Sequence, residues 1–292
     1  SRAAALGHVY LALNEKGKER FLEILVKDFD VDDEEVDKAI LNFQNGNIQN
    51  DRVKSQFKLR KALEPRRRAL LTKFNDLPEG VKFLVDMRAD ILALTSKNKD
   101  LKPLEHDLKD LLTSWFDVGF LELKRITWNS SPAALLEKLI AYEAVHAIES
   151  WEDLKNRLES DRRYFAYFHP RMPDEPLIFV EIALVNGMTD NVHFLLDKKA
   201  PTINPKLANT AIFYSISNAQ KGLAGISFGN FLIKRVVSKL TSEFPGLRTF
   251  ATLSPLPGFM TWLKTSLLKS NLNVFKPSEE KQLLKIISTP NG

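Results

Sequence analysis

Apolar residues recur at spacings of three and four from Ser1 to about Trp115: Leu6, Val9, Tyr10 and Leu13, then Phe21, Leu22 and Leu25, and later Leu84, Met87, Ile91 and Leu94. That period lines up one side of a helix, so the first third of the chain predicts amphipathic helices. Their ends are legible as well. Asp30 to Asp33 can cap a helix carrying Val36, Ile40 and Phe43, Pro65 suits a first helical turn, and Asn75-Asp-Leu-Pro78 predicts a break. Residues 1–115 therefore predict a helical domain.

The pattern changes after Trp115. Phe120 to Trp128 alternates as a short strand does, Ser131-Pro132 opens a helix to about Tyr142, and Trp151 to Glu159 predicts one more helix. Tyr164 to Phe168 and Leu177 to Val185 are aromatic and aliphatic runs of strand length, separated by the proline-rich stretch His169 to Pro176. Asn186-Gly187 marks a turn, and Thr249 to Leu253 predicts a last short strand. An α+β fold follows, with residues 116–292 as a mixed-sheet domain after the helical one.

One segment carries candidate chemistry. Thr210 to Ile216 predicts a strand buried on both faces, Gly222, Gly225 and Gly229 punctuate a turn, and an amphipathic helix is expected from near Phe228. Strand, glycine turn and helix in that order build an anion site, because the first N–H groups of the helix and the positive end of its dipole face the turn. The turn Gln220-Lys-Gly-Leu-Ala-Gly225 loosely resembles the Gln/Arg-x-x-Gly-x-Gly/Ala turn of the acetyltransferase (GNAT) superfamily, which holds an acyl-coenzyme A pyrophosphate.

Composition narrows the classes. A length of 292 residues suits about two domains, and a formal charge of +5 fits an anionic ligand as well as nucleic acid. The absence of cysteine excludes disulfides, thiolate metal sites and a cysteine nucleophile. His8, His106, His146, His169 and His193 are scattered without ligand spacing, so no metal is expected; His169 falls in a strand-connecting turn and His146 in a helical Glu143-Ala-Val-His146 block, which makes both structural or surface histidines. Pro65-Arg-Arg-Arg68 lacks interleaved aromatics, so nucleic-acid binding is not expected either. No apolar run reaches bilayer length, which predicts a soluble intracellular protein with no membrane span, its compartment open among cytoplasm, mitochondrial matrix and peroxisome.

Several long blocks resemble the malonyl-CoA decarboxylase family: Gly80 to Asp90, Trp115 to Trp128, Glu143-Ala-Val-His146, Ala211 to Ser217, Gly229 to Val237 and Leu253-Ser-Pro-Leu-Pro-Gly-Phe259. The resemblance implies a helical N-terminal domain and a GNAT-like catalytic domain. It also implies conversion of malonyl-CoA to acetyl-CoA and carbon dioxide in fatty acid metabolism, with no cofactor besides the coenzyme A thioester itself. Ser254 would be catalytic and would touch substrate. Ala224, Gly225, Ile226, Ser227, Phe228, Gly229 and Asn230 would form the coenzyme A loop. A homo-oligomer, by family a tetramer, is implied as well. The family's catalytic histidine, in an Asn-Pro-x-x-x-Phe-His setting well beyond the serine, has no counterpart before Gly292, so a further C-terminal part is expected to supply it. An inactive acyl-CoA-binding or assembly fragment and a GNAT-type acyltransferase are the alternatives.

Overall fold

The computed structural model describes residues 2–45, 49–228, 231–268 and 276–287. Helices occupy the first third: α1 (Arg2–Ala12), α2 (Glu15–Lys27), α3 (Asp33–Asn45), α4 (Gln49–Ala62), α5 (Arg66–Thr72), α6 (Gly80–Leu94) and α7 (Lys102–Trp115). Their starts follow local chemistry. Asn14 Oδ1 accepts the N–H of Gly17 at 2.9 Å to cap α2, Pro65 precedes α5, and Pro103 lies in the first turn of α7. On α6, Leu84, Met87, Arg88 and Ile91 are buried as the period requires, whereas on α1 the buried positions are Ala3, Gly7 and Tyr10 and Val9 is exposed. Gly7 turns that α1 face inward because its missing side chain lets Phe74 and Phe83 come close.

The sheet follows: β1 (Glu122–Ile126), α8 (Ala133–Tyr142), α9 (Trp151–Arg157), β2 (Arg162–His169), β3 (Met172–Val185), α10 (Val192–Leu196), β4 (Thr210–Asn218), α11 (Phe231–Glu243) and β5 (Thr249–Thr252). Strands lie in the order β1-β2-β3-β4-β5, antiparallel except for the parallel pair β4 and β5 joined through α11. The expected proline-rich turn is shorter than the sequence suggested. β3 begins at Met172 and takes Pro173 and Pro176 into the strand, with register shifts at Tyr167/Phe168 and Phe168/His169. A bulge of this kind accommodates residues that have no N–H to give the ladder.

Alternation sorts the strands between two cores. Phe165, Tyr167, Ile178, Val180, Ile182, Leu184, Ala211 and Phe213 join α6, α7 and α11 in one apolar cluster, and Tyr164, Ala166, Phe168 and Phe179 join Leu136, Leu139 and Leu154 in the other. Thr210 to Ser215 is therefore buried throughout, with helices over both faces, whereas Ile216, expected to be buried with them, is exposed. Complete burial of each large apolar side chain, such as Leu84 or Phe165, contributes about 1.5–3 kcal/mol.

Residues Ser1–Thr252 form one compact unit and Leu253–Gly292 another. The second contains α12 (Phe259–Leu268) and α13 (Pro277–Ile287), with the rings of Phe259 and Trp262 5.7 Å apart. No helix among the described residues is long and apolar enough to cross a membrane.

Candidate functional site

The glycine turn is fixed from beneath by the helical region. Gly222 packs so tightly on α6 that a Cβ there would fall 1.7 Å from the Val85 carbonyl oxygen. Arg88, also on α6 and only 1% exposed, aims its fork at the same place. Its Nη1 donates to the Gly222 carbonyl at 2.5 Å and its Nη2 to the Ala224 carbonyl at 2.9 Å, while Glu105 Oε1 on α7 accepts from Nη2 at 2.7 Å and Nε at 3.2 Å. A charged group this deep in a protein is tolerable only when its donors are matched. Here they are matched by a carboxylate and two carbonyls, so the guanidinium holds the turn in shape.

Within the turn the residues expected to form the coenzyme A loop divide by exposure. Ile226 and Phe228 are buried in the core that α6, α7 and α11 share, and Ala224, Gly225 and Ser227 face outward. Gly225 has φ +73°, the left-handed region that glycine enters without strain. The N–H groups of Ala224 and Ile226 are spent inside the turn, on the carbonyls of Lys221 and Leu223 at 3.1 Å. Gln220, first residue of the turn motif, is buried and gives its side-chain amide to the Pro176 carbonyl at 2.9 Å. Gly229 and Asn230 lie outside the described residues. The helix is described from Phe231, so Phe228 precedes it as a core anchor and is not its first residue.

α11 is seated by Leu232, Val236 and Leu240 on its inner face and by Tyr167 Oη, which donates to the Leu232 carbonyl at 2.6 Å. Lys234 on this helix is exposed, while Arg235 donates to the Leu121 carbonyl at 2.7 Å and lies over the Tyr167 ring. Arg235 is thus a packing residue. Ser254 comes two residues after β5, in the second unit, and the Leu253 to Phe259 motif leads through Gly258 at φ +82° into α12.

A polar cluster that sequence reading missed lies on the other face of the sheet. Glu143 caps α8, and the expected helical block Glu143 to His146 is instead a loop wrapped round its carboxylate. Oε1 accepts from Val145 N, His146 N and Ser215 Oγ, each at 2.8 Å, and Oε2 accepts from Ser217 Oγ at 3.0 Å. Four donors on one carboxylate explain why the chain leaves the helix there. Beside it Arg157 bridges Asp153 at 3.1 Å and Glu181 at 3.3 Å. Burial pushes the Glu181 carboxyl up to about 8, against the pull of Arg157 and with a further push from Glu143. The serines of β4 were the available signal, since hydroxyls on alternate positions of a buried strand need a partner.

The histidines take other roles. His169 accepts from Arg171 N through Nδ1 and meets the Trp115 carbonyl through Nε2, both at 3.1 Å, and burial lowers its pKa, so it is a neutral structural tie. Arg66, Arg67 and Arg68 are likewise spent: on the Asp28 and Asp30 carbonyls, on Asp107 and Asp30, and on Glu64. Among the described residues no group of His, Cys, Asp or Glu could hold a metal ion.

Fold and turn together define an α+β protein in which a helical region supports the strand-turn-helix corner of a mixed five-stranded sheet. Residues 29–116 match the malonyl-CoA decarboxylase N-terminal domain and residues 119–292 its C-terminal domain, and the chain belongs to the malonyl-CoA decarboxylase family. Mitochondrial malonyl-CoA decarboxylase of Mus musculus is 40% identical over 72% of the chain and 44% of that protein, and the Anser anser anser protein is 38% identical over 80% and 48%. The crystal structure of malonyl-CoA decarboxylase from Rhodopseudomonas palustris superposes with TM-score 0.90 at 44% identity, covering 99% of this chain and 69% of that one. For the Agrobacterium vitis enzyme the TM-score is 0.89 at 41% identity, with 98% and 69% covered. The chain spans about half the length of the curated relatives it matches.

Proposed function

We propose that this chain belongs to an enzyme that converts malonyl-CoA to acetyl-CoA and carbon dioxide, acting inside the cell. Family membership carries the reading, supported by the intact Leu253 to Phe259 motif and the clamped glycine turn. The turn from Ala224 to Asn230 takes the phosphates of the coenzyme, and Ser254 serves the acyl end. In the reaction the bond between the carboxylate and the α-carbon breaks, its electron pair passes into the thioester as an enolate, and a proton then adds to carbon. Ser254 donates a hydrogen bond to the carboxylate or to the enolate oxygen as charge develops. No metal or organic cofactor is needed, because the thioester itself delocalises the electron pair. The working form is a homo-oligomer, a tetramer by family, which light scattering of the purified protein tests.

The deciding experiment is Ser254→Ala in the full-length protein. Acetyl-CoA release is expected to fall about 10²–10³-fold, the usual effect of removing one donor to a developing oxyanion, while coenzyme A binding stays nearly unchanged. Turnover surviving within a few-fold would remove Ser254 from the chemistry.

A further inference from the structure

A second side chain of the helical region reaches the turn. Lys109 on α7 is half-buried, and its Nζ stands 3.6 Å from where a Cβ on Gly225 would lie, with Cε at 3.9 Å. Each carboxylate near it along the helix is engaged elsewhere: Glu105 with Arg88, Asp107 with Arg67 and Asp110 with His106. Among the described residues none lies within 4.0 Å of the Lys109 ammonium. Its position is therefore unusual for a partly desolvated cation, over the exposed, side-chain-free point of the turn.

We infer that Lys109 binds a phosphate group of coenzyme A, so that the anion site is shared between α7 and the glycine turn; this rests on the coenzyme A reading of the turn given above. Three features point the same way. The space beside Nζ is kept open by a glycine at φ +73°, where any other residue would be strained and would fill it. The turn spends the N–H groups of Ala224 and Ile226 internally, so its backbone alone offers a phosphate fewer donors than an open glycine loop does. An ammonium is a compact point charge with three rotatable donors, suited to a tetrahedral oxyanion whose orientation is set by the backbone. Arg88 cannot take this part, since Glu105, Gly222 and Ala224 already engage its fork. It positions the turn, and Lys109 supplies the charge.

Calorimetric titration of the full-length protein with coenzyme A, and with pantetheine, which lacks the phosphates, tests the assignment in wild type, Lys109→Ala and Lys109→Arg. Lys109→Ala is expected to weaken coenzyme A about ten-fold, as loss of one charge-assisted contact does, and to leave pantetheine within about two-fold. Lys109→Arg keeps the charge and recovers most of the affinity. Added salt weakens coenzyme A binding more steeply in wild type than in Lys109→Ala. Wild type that fails to bind coenzyme A at all would overturn the coenzyme A reading and this inference with it. Wild-type binding that Lys109→Ala matches within about two-fold overturns the inference alone. Equal losses on coenzyme A and pantetheine also overturn it, since they mark a structural role.

Discussion

Replacing Gly222 by alanine tests whether the helical region and the turn are built as one piece. Gly222 does not need glycine's backbone freedom, as it is absent from the positive-φ positions Gly187, Gly225 and Gly258. What it needs is space: the added methyl would meet the Val85 carbonyl oxygen at 1.7 Å and its carbon at 2.6 Å, and backbone on α6 cannot swing aside as a flexible side chain could. The turn must lift off the helix, and lifting breaks the bond from Arg88 to the Gly222 carbonyl. Overpacking of a tight contact costs about 1–3 kcal/mol and loss of a hydrogen bond to a charged group about 1.5–3 kcal/mol, so the expected loss is about 3–5 kcal/mol. Urea unfolding of the full-length protein measures it. Gly187→Ala is the control, because Gly187 has φ +86° and nothing within 4 Å, which leaves only the backbone penalty of about 1–2 kcal/mol. A Gly222→Ala loss below about 1 kcal/mol, or below that of Gly187→Ala, would refute the steric argument.

Two more outcomes follow from the buried charges. The Glu181 carboxyl, raised from 4.5 to about 8, holds a proton in the folded chain that the unfolded chain has released, so its contribution to stability is complete below about pH 4.5 and is lost as pH rises towards 8. Glu181→Gln stays neutral and should therefore gain on wild type between pH 5 and 8, by up to about 1.4 kcal/mol per pH unit; unfolding curves whose separation does not change with pH would contradict this. Arg67→Ala should cost about 3–5 kcal/mol, since it leaves Asp107 and Asp30 without their buried partner, while Arg68→Ala, whose Glu64 pair is 3.8 Å long and largely exposed, should stay within about 0.5 kcal/mol. Similar unfolding midpoints for the two variants would show the burial argument to be wrong.

The legible parts of the chain were those whose signal is local. Leu84, Met87 and Ile91 announced α6 by period alone, and Thr210 to Ile216 announced a strand covered on both sides, which holds as far as Ser215. The run from His169 to Pro176 misled because proline usually ends a strand, and only pairing with β2 shows the bulge that admits Pro173 and Pro176. The Glu143 to His146 block misled for a related reason. Its helical spacing lost to four hydrogen bonds on one carboxylate, two of them from serines more than seventy residues away.

Sequence by itself determined the helical region, the order of strand, glycine turn and helix, and the motif around Ser254, because periodicity, glycine placement and short motifs are properties of neighbouring residues. Tertiary structure alone decided what supports the turn. Arg88 stands 134 residues before Gly222, yet its guanidinium ends on that carbonyl, and Lys109 meets Gly225 from a helix that the sequence assigned to a different domain. Contacts of that range depend on how α6 and α7 lie against the sheet, and a packing orientation fixed by a shared core leaves no mark in the spacing of residues along either segment.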